Sequence, residues 1–429
     1  SWMQRVSTDT MNGDMQFWLR RTERDMAKAE NGLARQERIE NLRDDPLGAA
    51  RAVRYESVVG RLERYEKNAA WAGDQYKVSE AYVREALDVT QRLREIAVQG
   101  ANGVYTKDDQ KHYMAIEVEE LVKELVAIGN AKGPDGAYVF SGDKSRTEPF
   151  RVVSGSSPAA GREVIQAVQY LGGSGGAATE VTEGSTIPLS QSGSEIFWAE
   201  RQTALSGYDA RDWRAREDAR ILVDGKSVEI KAGDTVHAVA AKINDSGAAV
   251  KASIDPRRFS LSLEATVPHE MRLEDGREAG ADAAGGGGGR PGVLEELGLL
   301  SGSGLPGQNW APSARVTGGS LFDVALRLRD SLHRGDVIET GGLSLAGIDA
   351  GIDGLTRRAA ELGSRSERLD MVQVRLNREI PDTTKLLANE KDLDLTRAIT
   401  DFRMMEYAHK ASLGFAGRLF PQTLLDFLR

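Results

Sequence analysis

Residues 55–100 read YESVVGRLERYEKNAAWAGDQYKVSEAYVREALDVTQRLREIAVQG. Stepping by four and then three picks out Val58, Leu62, Tyr65, Ala69, Ala72, Tyr76, Ser79, Val83, Ala86, Thr90, Leu93 and Ala97. The spacing averages about 3.5 residues, the repeat of a helix wrapped on partner helices. No proline interrupts it, and charged residues dominate the other faces. At about 1.5 Å per residue this helix spans roughly 65 Å, longer than a compact domain requires. Half of the seam is Ala, Ser or Thr. Small knobs let helix axes approach closely, and they build a shallow core that needs partners on more than one side. A long helix inside an ordinary bundle is the plainer alternative.

Outward toward the N-terminus, residues 1–40 form an arm. Apolar positions recur at Met11, Met15, Trp18, Thr22, Met26, Ala29 and Leu33, so an amphipathic helix is expected, capped at Thr8, Asp9 or Thr10. Between arm and seam, Asp44-Asp45-Pro46 reads as a turn: Pro46 pushes Asp45 out of the helical region and suits the first turn of the next helix, with Asp44 or Asp45 as cap. After the seam a helix resumes near Asp108, with Met114, Val118, Leu121, Leu125 and Ile128 on one face. Gly133-Pro134-Asp135-Gly136 is a turn, and Ala137–Phe140 reads as a short strand.

From about residue 141 to 320 the heptads vanish and Ser, Gly, Thr and Val increase. Ala219–Val223 and Lys226–Ile230, joined by Asp224-Gly225, form a β-hairpin signature. Gly233-Asp234-Thr235 caps a helix with Val236, Val239, Ala240 and Ile243 inside. Val250–Ile254 and Phe259–Leu263 read as two further strands, and Gly285–Gly289 as a flexible loop.

Heptads then return. Leu321, Val324, Leu328 and Leu332 mark a short helix. Leu355, Ala359, Leu362, Ser366, Leu369, Gln373, Leu376 and Ile380 mirror the N-terminal seam, with Pro381 as a kink or a fresh start. A last arm carries Leu395, Ala398, Phe402, Met405, Ala408, Ser412, Phe415 and Leu419. The expected fold is mainly α with an inserted α+β region: N- and C-terminal segments form a long antiparallel coiled-coil bundle around a β-rich middle domain. The divisions are arms at 1–40 and 386–429, bundle segments at 41–140 and 321–385, and a middle at 141–320 with a module at about 219–300.

Composition narrows the function. The 429 residues are 40% hydrophobic and 28% charged with a net charge of −9, which argues against a nucleic-acid or anionic-membrane binder. There is no cysteine, so disulfide scaffolds, thiolate catalysis and zinc–cysteine sites are excluded. No apolar run is long enough to span a membrane, and the N-terminus lacks a standard secretory signal. The histidines (His112, His237, His269, His333, His409) have no metal-ligand spacing, so surface or packing roles are expected. Gly302-Ser-Gly304-Leu-Pro-Gly307 has the spacing of a dinucleotide loop but no βαβ context, so a plain loop is expected. Asn244-Asp245-Ser246 reads as a helix-end turn rather than a glycan acceptor. No nucleophile–base–acid set is visible, and no catalytic residue, cofactor or metal is expected.

Several strings carry a resemblance. Asn41–Ala52, with its Asp44-Asp45-Pro46 turn, is similar to the Asp-Asp-Pro-x-x-Ala turn of the bacterial flagellin family, and Met3–Thr8 resembles that family's start with Gln4 inserted. Asp135–Gly142, Glu148-Pro149-Phe150 and the Leu424–Leu428 tail resemble its hook–filament junction members. Residues 220–300 are similar to a module inserted in flagellins and the filament cap. The resemblance implies a non-enzymatic flagellar subunit, exported through the type III channel and located in an external or periplasmic flagellum. It implies terminal helices that polymerise into an inner tube. The implied partners are copies of itself, hook-associated protein 1, flagellin and an export chaperone, with neither nucleic acid nor membrane insertion. The seam residues assigned to assembly are Met11, Met15, Trp18, Met26, Leu33, Leu62, Tyr65, Tyr76, Val83, Leu93, Leu355, Leu362, Leu369, Leu376, Phe402, Met405, Phe415 and Leu419. Filament flagellin is the alternative within the family; a coiled-coil adhesin or translocated effector is the alternative outside it.

Overall fold

The computed structural model describes residues 2–35, 46–103, 107–157, 161–176, 178–276, 289–391 and 395–427. Helix α1 is Trp2–Arg35, α2 Pro46–Gly100 and α3 Asp108–Gly129. Strands β1 (Phe150–Ser157), β2 (Arg162–Tyr170), β3 (Ala178–Thr182) and β4 (Ser185–Pro188) follow, then α4 (Gly193–Ile196) and β5 (Thr203–Leu205). Next come β6 (Ala219–Val223), β7 (Lys226–Ile230), α5 (Val236–Asp245), β8 (Val250–Ile254), β9 (Leu261–Ala265), β10 (Leu273–Gly276), α6 (Val293–Glu296) and β11 (Arg315–Thr317). The chain closes with α7 (Leu321–Arg334), α8 (Val337–Glu339), a π turn over Thr340–Ser344, α9 (Leu345–Lys391) and α10 (Leu395–Phe427). It is therefore mainly helical, with every described strand inserted between α3 and α7.

Two compact units divide the chain: Ser1–Lys67 with Met371–Arg429, and Asn68–Asp370. In the first, α1 packs on α10, and Arg51 of α2 pairs with Glu390 of α9 at 3.0 Å. In the second, the rest of α2 runs antiparallel to the start of α9. Arg94 meets Asp349 at 2.7 Å and Lys77 meets Asp370 at 3.8 Å, while a methyl group added at Gly73 would lie 4.0 Å from Leu369 Cβ. The small α2 residues Ala69, Ala72, Ser79 and Ala86 are buried, as are Tyr76, Val83 and Leu93 beside them.

Helix α3 packs on α7, and the β1–β2 hairpin lies against both. Glu119 is buried at this meeting point. Its carboxylate accepts from the Ile165 amide at 2.9 Å and faces Arg162 at 3.3 Å and the buried Arg329 at 3.6 Å. A carboxylate removed from water requires such partners. Phe150, at the root of β1, centres an aromatic cluster, 5.3 Å from Tyr170, 5.2 Å from Phe197 and 4.9 Å from Phe322 between ring centroids.

The β6–β7 hairpin turns at Asp224 and Gly225, whose φ values of 51° and 81° give the left-handed pair its twist requires. Strand β10 extends it to three strands, and a second antiparallel sheet runs β11-β5-β9-β8. Thr235 Oγ1 accepts from the Ala238 amide, and α5 turns Val236, Val239, Ala240 and Ile243 into the core shared by both sheets.

Four local expectations change. Helix α1 starts at Trp2, so Thr8, Asp9 and Thr10 lie inside it rather than capping it. Residues 137–140 form no strand: Tyr138 makes one isolated bridge to Lys132, with the Val139 amide on the Ala131 carbonyl, and the chain then turns as Phe140 enters the aromatic cluster. Strand β9 begins at Leu261, since Phe259 sits at φ 53° in the preceding turn. Of the two readings of Pro381, the fresh helix start is overturned: α9 continues through it, and the carbonyl it leaves unbonded belongs to the exposed Asn377, where water can replace the lost donor. Gly302, Gly304 and Gly307 lie in a loop at φ 76°, 103° and 86°. Asp44, Asp45 and Gly285–Gly288 lie outside the described residues.

Candidate assembly surface

Two paired helices bury one strip each, and any apolar residue off that strip stays in water. Helix α1 offers Met15, Leu19, Thr22, Met26 and Ala29, all half-buried; α10 offers Phe402, Met405, His409 and Ser412, also half-buried. Between them lies a groove lined by Asp14, Met15, Trp18, Leu19, Ala411, Ser412 and Phe415. Its large aromatics are uncovered: Trp18 is 63% exposed and Phe415 62%. Phe17, Met404, Tyr407 and Leu413 are exposed on the same two helices. Two large aromatics left exposed along one groove mark a surface suited to contact. The neighbouring charges are mixed, as in the Lys410–Glu406 pair at 3.5 Å, and such surface pairs contribute little. Among the described residues no helix is long and apolar enough to cross a membrane.

Of the seam residues read from the sequence, Tyr65, Tyr76, Val83, Leu93, Leu355, Leu362, Leu369 and Leu376 are buried. Met15, Met26, Leu62, Phe402 and Met405 are half-buried, and Trp18 and Phe415 exposed. The side chains of Met11, Leu33 and Leu419 lie outside the described ones, and Pro46 opens α2. Sequence spacing missed Leu19 and Ala411, which fall one residue off their seams but line the groove. It also missed Phe17, Met404 and Tyr407, which belong to no single stripe.

The inserted module sits on a buried polar cluster. Arg272 donates to Glu270 at 3.0 Å and to the Gly172 carbonyl at 2.6 Å, and lies over the Tyr170 ring. His269 contacts Asp224 at 2.8 Å. Burial pushes the Glu270 carboxyl up to about 7, despite the opposing Arg272 charge. Burial also pushes the Tyr170 hydroxyl up to about 12. For His269, burial opposes protonation, but the Asp224 contact outweighs it and its pKa is raised. The signs agree. A group whose folded pKa exceeds its unfolded value binds more protons in the folded state, so stability falls as pH rises between the two values. For Glu270 that window runs from 4.5 to about 7. Calorimetry from pH 5 to 8 should show the second unit losing stability, on the order of 2–3 kcal/mol from Glu270. Glu270→Gln should remove most of that slope.

The N-terminal part of the chain matches the bacterial flagellin N-terminal helical region over residues 6–145, and residues 222–267 match the flagellin hook IN motif. Over these two regions, together less than half of its length, the chain is similar to bacterial flagellins. Flagellin FlaB1 of Treponema pallidum is 35% identical over 119 residues, 28% of this chain and 41% of that protein. Flagellar hook-associated protein 3 of Salmonella typhimurium is 22% identical over 208 residues, 48% of this chain and 61% of that protein. The matched segments thus span about half the length of these relatives. Among solved structures, flagellar hook-associated protein 3 of Legionella pneumophila superposes with a TM-score of 0.45 at 18% identity, covering 78% of this chain and 97% of that one.

Proposed function

We propose that this chain is a structural subunit of the bacterial flagellum that joins the hook to the filament. The observation carrying the reading is the uncovered aromatic belt on the paired terminal helices of a chain similar to bacterial flagellins. Packing against identical neighbours covers that belt without repeating the entropy cost of ordering each arm. In this reading the arms at 1–40 and 386–429 form the inner tube by coiled-coil contacts. The segments at 41–140 and 321–385 form the bundle outside it, and residues 141–320 face outward. Hook-associated protein 1 and flagellin are the axial neighbours, an export chaperone guards the arms before assembly, and the subunit works outside the cytoplasm without catalysing a reaction.

Filament flagellin is the second reading, favoured by the higher identity to FlaB1. The junction role is supported by the longer match to hook-associated protein 3, by the Asp135–Gly142 and Glu148–Phe150 strings, and by the Leu424–Leu428 ending. Electron microscopy of a strain lacking this chain separates them. The junction role predicts intact hooks, no filaments, and flagellin shed into the medium. A strain that sheds no flagellin, and whose normal cells carry thousands of copies of this chain per flagellum, makes it the filament subunit instead.

A further inference from the structure

Two histidines separated by 221 positions meet in the second unit, His112 from the first turns of α3 and His333 from the last turn of α7. Their Nδ1 atoms are 2.9 Å apart and the ring centroids 5.2 Å. For that contact, the centroid separation is near the largest two five-membered rings allow, so the nitrogens face each other head-on. Ligands sharing a metal ion would angle their lone pairs toward a third point. The head-on alignment is that of a hydrogen bond in which one ring donates N–H and the other accepts.

The two rings differ in surroundings. His112 is exposed, whereas Nε2 of His333 is buried with no hydrogen-bond partner. Arg329 on α7 and Arg162 on β2 add positive charge near His333, and Asp330 on α7 opposes them. At the start of α3, Asp108 reaches the end of α7, its Oδ1 3.9 Å from where a Cβ on Gly335 would stand. Burial first, then His112 and Arg329, hold His333 below the ordinary histidine value of 6.5.

We propose that His112 and His333 form a pH-responsive latch that holds the start of α3 on the end of α7 while the two rings carry at most one added proton between them. With one added proton on the pair, the charged ring donates a charge-assisted bond from its Nδ1 to the neutral one. A second proton leaves two N–H donors facing each other with no acceptor. A neutral ring that accepts at Nδ1 already carries its one N–H on Nε2, so what the second proton adds is a second positive charge at the contact, beside Arg329 and Arg162. The contact opens and the first turns of α3 come loose. Because the His333 pKa is lowered, this contribution to stability is present above 6.5 and is lost as pH falls below it. That is opposite in sign to the Glu270 effect, so a local readout is required.

Hydrogen exchange on the full chain at pH 7.5 and pH 5.0, corrected for intrinsic rates, supplies one. Protection of peptides covering residues 108–116 should drop at least tenfold at pH 5.0, while peptides from α5 keep theirs. His112→Gln retains a polar contact but cannot charge, and should keep the protection at pH 5.0. Unchanged protection in the unmodified chain, or an equal drop in His112→Gln, overturns the latch.

Discussion

Replacing Trp18 and Phe415 together by Ser should abolish assembly at working concentrations while leaving the second unit folded. Both side chains are more than half exposed in the single chain, so their removal costs the subunit little. In an assembly each aromatic that becomes buried contributes about 1.5–3 kcal/mol. With about 60% of each left to bury, losing two per subunit removes about 2–4 kcal/mol, at least about thirtyfold in the association constant. Sedimentation and electron microscopy of mixtures with hook and flagellin preparations measure this. Wild-type assembly by the double variant would mean that the belt does another job.

Leu93→Asp has the largest expected effect on folding. Leu93 is fully buried in the second unit. Emptying such a site costs about 2–5 kcal/mol through lost transfer energy and the cavity left behind. A carboxylate without a partner there adds several kcal/mol. The sum approaches the whole stability of a domain, about 5–15 kcal/mol. Circular dichroism should show no cooperative melting for Leu93→Asp, and the same for Leu369→Asp across the helix pair. Val98→Asp, five residues along α2 and 48% exposed, is the control and should melt like the unmodified chain. Ordinary melting in both core variants would mean that α2 and α9 do not share a core.

The long helices were legible because their signal is local and repeated. In the four-three series, every residue from Tyr65 to Ala97 is buried. The hairpin at Asp224-Gly225 and the start of α5 after Gly233-Asp234-Thr235 were equally legible, since each depends on a few adjacent residues with one favoured geometry. Strands β1–β5, β10 and β11 were not read. Runs such as Phe150–Ser157 alternate weakly, and their partners and the helices beneath them lie far away in sequence. Phe140 shows the same limit from the other side: its run looked like a strand, but a distant aromatic cluster claimed it. The candidate surface was half legible. Trp18 and Phe415 stood out on their seams, whereas Leu19 and Ala411 line the groove only because of how α1 meets α10. The His112–His333 contact could not be foreseen from spacing, because nothing within either helix announces a partner on the other.

The most direct test of the account compares hydrogen exchange of the arms in the monomer and in the assembled state. Residues 10–35 and 395–415 should exchange quickly in a monodisperse sample, far faster than α3 or α7, and become strongly protected after assembly. Strong protection of both segments in the monomer, with no further change on mixing with hook or flagellin, would contradict it.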